Sequence, residues 1–541
     1  MDRNQELHIL REQLGDGVIT RREFINRALI LTGSLATVSA LLQESGPSAA
    51  ASPAPTSASA ASAGKQPKHG GTLTVGKAGD FTTMDPHFRG ANNQSAHLTS
   101  FDPVLRYGKD MKPVVELAAS WEVKEDKFIV KLRQGIKFHN GREFVADDVL
   151  FNFERAGDAN VGGRLVDFTK PITAVKVPDK YTVEFTFQGV PEVVVELLDS
   201  LFIVNKETAA QVKNKPVGTG PFKFAEWAPG DRARWTRYAD YYKKGQPYVE
   251  TLVQKAYNDS ETQLVNLQAG QVDLVEFLLA KDVERVLGDK NLKLVKADVG
   301  SFWMLMVNVT HKPFDNKKVR QALNYMIDRK TISEKVFFGQ SKPLVAPFYL
   351  QTHPGYDAKF ESYYTFNLEK AKQLLTEAGF PNGFEATITG FAAFPECKNF
   401  SQIIMADAAK IGVRLKLDDL PSSQAYPKYL AGDFDILNGS QGNVHRDPVA
   451  FFTMNPATRL NSNITKYSNP EYTKLVTDGA AARDLVKRKE IYKKLNEIML
   501  DESFLLLIAE YPKFSAMRNY VQDYSDDLNG YPIWYGIWLD K

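Results

Sequence analysis

Hydrophobic and polar positions alternate with a period of two in several stretches of the first half of the chain. Phe128, Val130 and Leu132 alternate with Lys127, Lys131 and Arg133, and Tyr181, Val183, Phe185 and Phe187 with Thr182, Glu184 and Thr186. This pattern predicts strands with one buried face. Ahead of them, residues 70–76 (GGTLTVG) predict a short first strand. Elsewhere the period lengthens to that of a helix. Residues 145–155 (VADDVLFNFER) open with the acidic pair Asp147-Asp148, which at a helix start serves the macrodipole rather than catalysis. Asp259-Ser260-Glu261 caps a helix through Leu264, Val265 and Leu267 that stops at Gly270. From Asp315 a helix carries Val319, Ala322, Leu323, Met326 and Ile327 on one face. Residues 367–379 repeat this design, with an Asn367 cap, Leu374, Leu375 and Ala378 inside, a stop at Gly379 and Pro381 beyond. Residues 485–500 predict one more helix, and the apolar run 504–508 (FLLLI) suits a strand buried on both sides. Helices and strands mix throughout with no period of 20–50 residues, which predicts an α/β protein rather than a repeat array.

The N-terminal region follows a different pattern. Thr20-Arg21-Arg22-Glu23-Phe24-Ile25 precedes an apolar stretch, residues 28–42, diluted by Gly, Ser and Thr. That length suits a signal h-region of about 7–15 residues better than a membrane span of about 20. Residues 45–64 are almost all Ala, Ser, Pro, Thr and Gly, with the small-residue pairs Ala49-x-Ala51 and Ala61-x-Ala63. The expectation is a twin-arginine-type signal over 1–44 and a linker over 45–69, giving a periplasmic protein exported already folded; the alternative is an uncleaved anchor on a flexible stalk. The arginine pair is followed by Asn26 where that signal pattern usually has Lys.

About 477 residues remain after position 64 of the 541, too many for one compact core, so two or three lobes are expected. The net charge of +2 comes from interspersed Lys/Arg and Asp/Glu, which argues against a nucleic-acid partner. The one cysteine, Cys397, rules out an intrachain disulfide and any CxxC motif and is expected to be buried and inert. No cysteine follows the h-region to carry a lipoprotein acyl group.

Five segments in order carry a family resemblance. Residues 117–123 (LAASWEV) run on to 131–144 (KLRQGIKFHNGREF); 217–222 (VGTGPF), 267–273 (LQAGQVD), 314–324 (FDNKKVRQALN) and 371–380 (AKQLLTEAGF) follow. Together they resemble the ABC-transporter solute-binding proteins that include dipeptide-, oligopeptide- and nickel-binding members, over nearly everything after residue 70. Most of these residues read as structural. Asn140-Gly141 favours a type I′ hairpin, and His139 beside it reads as a hydrogen-bonded structural residue. Gly218-Thr219-Gly220 is followed by Pro221 with no Lys-Ser/Thr pair, so it is a turn feeding the strand at Phe222 rather than a phosphate loop.

The resemblance implies the two-lobed periplasmic-binding-protein fold with an extra subdomain. Lobe I would comprise 70–303 and 507–541, and lobe II 304–506. The crossing strands are expected at 301–308 outward and near 504–508 on return. A solute would be enclosed between the lobes and delivered to a membrane permease by a monomer without cofactor or chemistry of its own. Relatives contact ligand from the loop after the first strand, here containing Phe81 and Thr82, and from a second-lobe segment ending in Asp-Pro. The latter is here residues 438–448, with Asn438, Asn443, His445, Arg446 and Asp447. Trp303 and Tyr349 are the aromatic candidates. Dipeptide-binding relatives place an Asp three residues before that Asp-Pro aspartate, where this chain has Val444, and an Arg where it has Lys398 or Asn399. A buried ammonium without its carboxylate costs several kcal/mol. The expectation is therefore a non-dipeptide ligand, such as an oligosaccharide, an opine-like compound or another organic solute; a peptide is the alternative. An exported hydrolase is the reading from another class, but HExxH and GxSxG are missing. Nickel or haem binding, known in relatives, lacks a His/Cys cluster with ligand spacing. A receptor subunit reporting to a membrane sensor would share the same fold.

Overall fold

The computed structural model describes residues 66–541 except 89–93, 159, 162–164, 258, 298, 349, 352, 393, 442–447, 456, 461–462 and 529. The signal-like segment, the linker up to residue 65, and the candidates Tyr349, Asn443, His445, Arg446 and Asp447, with Val444, lie outside the described residues.

Two mixed sheets organise the chain. The first is seven-stranded, in the order Leu292–Ala297, Lys513–Arg518, Leu274–Leu278, Thr72–Ala78, Thr251–Tyr257, Arg232–Arg237, Phe222–Ala228. Thr72–Ala78 lies parallel to both of its neighbours. The second is five-stranded, in the order Arg414–Leu420, Glu385–Phe391, Ile436–Gln441, Phe302–Val307, Leu505–Glu510. In it Phe302–Val307 runs antiparallel to both partners. A four-stranded antiparallel sheet forms the additional subdomain, in the order Ala118–Lys124, Lys127–Leu132, Thr182–Phe187, Ile172–Asp179. Two strands of this subdomain are those the period-two alternation predicts.

The apolar runs are buried on both sides, as their lack of alternation requires. Phe302, Met304 and Met306 enter a core that continues to Phe128 and Phe185 of the additional subdomain. Trp303, Leu305 and Val307 enter a second core with Phe314, Leu323 and Phe400. Phe302–Val307 and Leu505–Glu510 both belong to the five-stranded sheet, so positions 303/304 and 506/507, where the sequence reading divides the lobes, fall inside strands. The sheets themselves part the chain between Ala297 and Phe302 and at Tyr511-Pro512. These two passages run side by side, with Ala297 paired to Lys513 in one sheet and Phe302 to Glu510 in the other. Between them the Tyr511 N–H donates to the Ser301 carbonyl at 2.8 Å.

The predicted helices form, with shifted ends. Ala146–Gly157 begins where Asp148 accepts the Val145 N–H at 3.0 Å and pairs with Arg142 at 3.0 Å. Its acidic start is thus an end-capping device. The Asp315 start moves to Lys317–Met326, with Asn316 as cap, its side-chain oxygen accepting the Lys318 N–H at 2.9 Å. The hairpin at Asn140-Gly141 is not type I′. That turn needs two positive φ angles, and here Gly141 alone has one (+87°). The Gly141 N–H bonds to the Phe138 carbonyl and the Phe138 N–H to the Arg142 carbonyl, both at 2.8 Å, a three-residue connection closed by a glycine bulge. Gly218 and Gly220 earn their place by close approach: an added Cβ would lie 2.1 Å from the Ser100 carbonyl oxygen or 2.5 Å from the Phe101 nitrogen.

Candidate functional site

A cavity of about 240 Å³ lies where the two large sheets meet. From the seven-stranded sheet it receives Ala78 and Leu278, the last residues of two parallel strands, and Lys513 and Phe514 at the start of the returning strand. The carboxyl edge of parallel strands is where open α/β sheets take ligands. From the other side come Trp303, Phe337 and the segment Phe394-Pro395-Glu396, which begins the helix Pro395–Ala409. Tyr511 and Pro512, in the passage between the sheets, complete the wall.

The aromatic side is tightly built. Trp303, 2% exposed, stacks on Tyr511 with ring centres 4.2 Å apart and on Phe337 at 6.0 Å, and meets Phe394 edge-on at 6.1 Å. Opposite, Phe277 sits at a bulge with φ +56°, its ring edge-on to Tyr531 at 5.4 Å. The Lys513 ammonium lies over both of these rings, 4.7 and 4.1 Å from their centres. Burial pushes Lys513 down to about 8, opposed by the nearby carboxylates of Asp527, Asp526 and Glu276. Burial likewise lifts the Asp526 carboxyl to about 6. Glu396 is also raised by burial, its own backbone N–H acting in the opposite direction. Cys397 behind it is a buried free thiol driven well up by burial, fitting the inert role expected of it.

The remaining sequence candidates fall elsewhere. Phe81 is buried against Trp227 and Trp235, at 6.4 and 6.0 Å edge-on, with the Lys77 ammonium 4.8 Å above its ring. It belongs to the first sheet's core, while Thr82 beside it is exposed. The loop holding them is anchored by its two aspartates. Asp80 accepts the Gly230 N–H at 2.7 Å, and Asp85 takes a two-pronged ion pair from Arg155 at 3.0 and 2.6 Å. Asn438 is 0% exposed and donates to Ser401 Oγ at 2.9 Å, tying its strand to the helix Pro395–Ala409. Lys398 is 52% exposed, 3.9 Å from Asp419, and Asn399 is exposed. Of the described candidates, Trp303 alone lines the cavity. Sequence reasoning missed Glu396, Tyr511 and Lys513. The one available signal was the Tyr-Pro-Lys that interrupts two strand-like runs at 511–513.

Two lobes, each with a mixed sheet, joined by paired crossings with a walled cavity between them, define a solute-binding protein of the periplasmic type. The chain belongs to the bacterial extracellular solute-binding proteins of family 5, whose middle-region model matches residues 112–463. It is the solute-binding component of an ABC importer of that type, and the family and its neighbours are binding proteins. Heme-binding protein A of Haemophilus influenzae is 30% identical over 472 residues, covering 80% of this chain and 84% of its own. The dipeptide-binding protein of Escherichia coli K12 is 29% identical over 455 residues, covering 76% and 84%. Among solved structures, PBP AgaA in complex with agropinic acid, from A. tumefaciens R10, superposes with a TM-score of 0.77 at 27% identity, covering 87% of this chain and 99% of that one. No helix among the described residues is long and apolar enough to cross a membrane.

Proposed function

We propose that this chain, exported through the twin-arginine route, captures a small organic solute other than a dipeptide and hands it to a membrane permease. The cavity between the sheets carries this reading. It has a volume of about 240 Å³ and is walled by groups from both sheets. Lobe I would then comprise the residues before about 298 and after about 512, and lobe II those between. Closure would depend on contacts the ligand makes only when both walls are in place. Trp303 is the sequence candidate retained as a ligand contact, joined by Tyr511, Lys513 and Glu396. The candidates of the segment 443–447 would add polar groups from lobe II. The similarity to the protein bound to agropinic acid supports a non-peptide solute; the similarity to the dipeptide-binding protein supports the second reading, a peptide. Among the described residues no cluster of His, Cys, Asp or Glu is arranged to hold a metal ion.

Mass spectrometry of the small molecule released on denaturing purified protein tests the proposal. A defined non-peptide species would support it. A dipeptide would overturn the ligand class and leave capture between the lobes in place.

A further inference from the structure

Resting on the reading of the cavity as the solute site, we infer that it holds the cationic nitrogen of its ligand, with Glu396 as counter-charge. The inference starts from an oddity of placement. Glu396 lines a cavity whose neighbouring walls are rings, Trp303, Tyr511, Phe337 and Phe394. Among the described residues no Lys, Arg or His forms an ion pair with it, whereas Asp85 has Arg155 and Glu116 has Lys243. A carboxylate in the first turn of a helix is favoured by the helix dipole. Its own backbone N–H takes part in holding it. An exposed position in that turn would serve this purpose equally well, without loss of hydration.

The rings around it point the same way. Trp303 stacks on Tyr511 and on Phe337, and Phe394 stands edge-on to it. Aromatic faces attract cations and repel anions, most strongly where water is excluded. A carboxylate beside such faces is the pairing that recognises ammonium and quaternary ammonium groups.

The opposite wall does not reverse the sign. Lys513 is the cation there, but its charge is spread over Phe277 and Tyr531 and answered by Asp526, Asp527 and Glu276. It can still meet an anionic group at the far end of a ligand, so a zwitterion with its nitrogen toward Glu396 satisfies both walls.

The test uses the full exported chain and its Glu396→Gln and Glu396→Asp variants, titrated calorimetrically with choline, glycine betaine and L-arginine. Trehalose and succinate serve as the uncharged and anionic comparisons. Glu396→Gln keeps the size of the side chain and its ability to accept the backbone N–H. If the inference holds, at least one nitrogen-bearing probe binds, Glu396→Gln weakens it by about tenfold or more, and Glu396→Asp restores part of the loss. If Glu396 serves only the helix end, the three proteins bind that probe alike and the inference fails. Binding confined to trehalose or succinate, unchanged by Glu396→Gln, would also overturn it while leaving solute capture standing. Absence of any bound solute, in titration or co-purified, would overturn both.

Discussion

At the scale of single residues, the side chains that look most like chemistry are committed to structure. His139 sits in a family motif beside a turn. In the fold its Nε2 lies 2.9 Å from the Gly220 carbonyl, and its ring packs edge-on to Tyr238 at 5.0 Å. Burial lowers its pKa to about 4, with Lys223 assisting. The folded value lies below the unfolded one of about 6.5, so the neutral ring is favoured in the fold. Its contribution is therefore complete above pH 6.5 and is lost as pH falls from there toward 4. Chemical denaturation across pH 4–7 should show this loss, and His139→Gln should reduce the slope. Arg155 offers a second case. Removing its charge strands the fully buried Asp85, so Arg155→Met should cost about 3–5 kcal/mol of stability, read from urea midpoints. Neither role was legible beyond the general expectation that a lone His near a turn is structural. The partner of Asp85 lies 70 positions away, and nothing local announces it.

At the scale of elements, local grammar worked where it governs the backbone. The Asn367 cap accepts the Lys370 N–H at 2.9 Å, and Gly379 ends the helix with φ +90°. Asn367→Ala should cost about 1 kcal/mol, measurable as a lower unfolding midpoint with little change in the native spectrum. The hairpin at Asn140-Gly141 shows the limit of the same grammar. A dipeptide favours a turn family, but the pairing of Phe138 with Arg142 decides the loop length, and that pairing is set by tertiary context. The Gly-Thr-Gly turn is a packing device whose reason lies across the fold. Gly220→Ala would drive a methyl into the backbone of residues 99–101, and we expect a markedly lower melting temperature by calorimetry.

At the scale of the whole molecule, the family motifs carried the two-lobed architecture, while the site was barely legible. Motif residues name the scaffold because they make turns and caps. The cavity wall is assembled from six separate segments whose meeting depends on sheet order. Trp303 was found because it lies in a conspicuous apolar run. Glu396 was passed over for its neighbours Lys398 and Asn399, two and three residues further along the helix and exposed. The returning strand Lys513–Arg518 lies inside the seven-stranded sheet, hydrogen-bonded to Leu274–Leu278 on one side and Leu292–Ala297 on the other. Deleting residues 511–541 should therefore prevent the first lobe from folding, rather than trimming an edge; loss of cooperative thermal unfolding by circular dichroism would show it.

That returning strand also sets the order of events during biosynthesis. A ribosome delivers residues 72–78, 274–278 and 292–297 long before 513–518, so the sheet waits with a gap in its interior. The second lobe, continuous in sequence between the two passages, can form while the chain is still being made. The first cannot finish until residues 513–518 have been delivered. The strand that fills the first lobe's sheet is thus made after the whole of the second lobe.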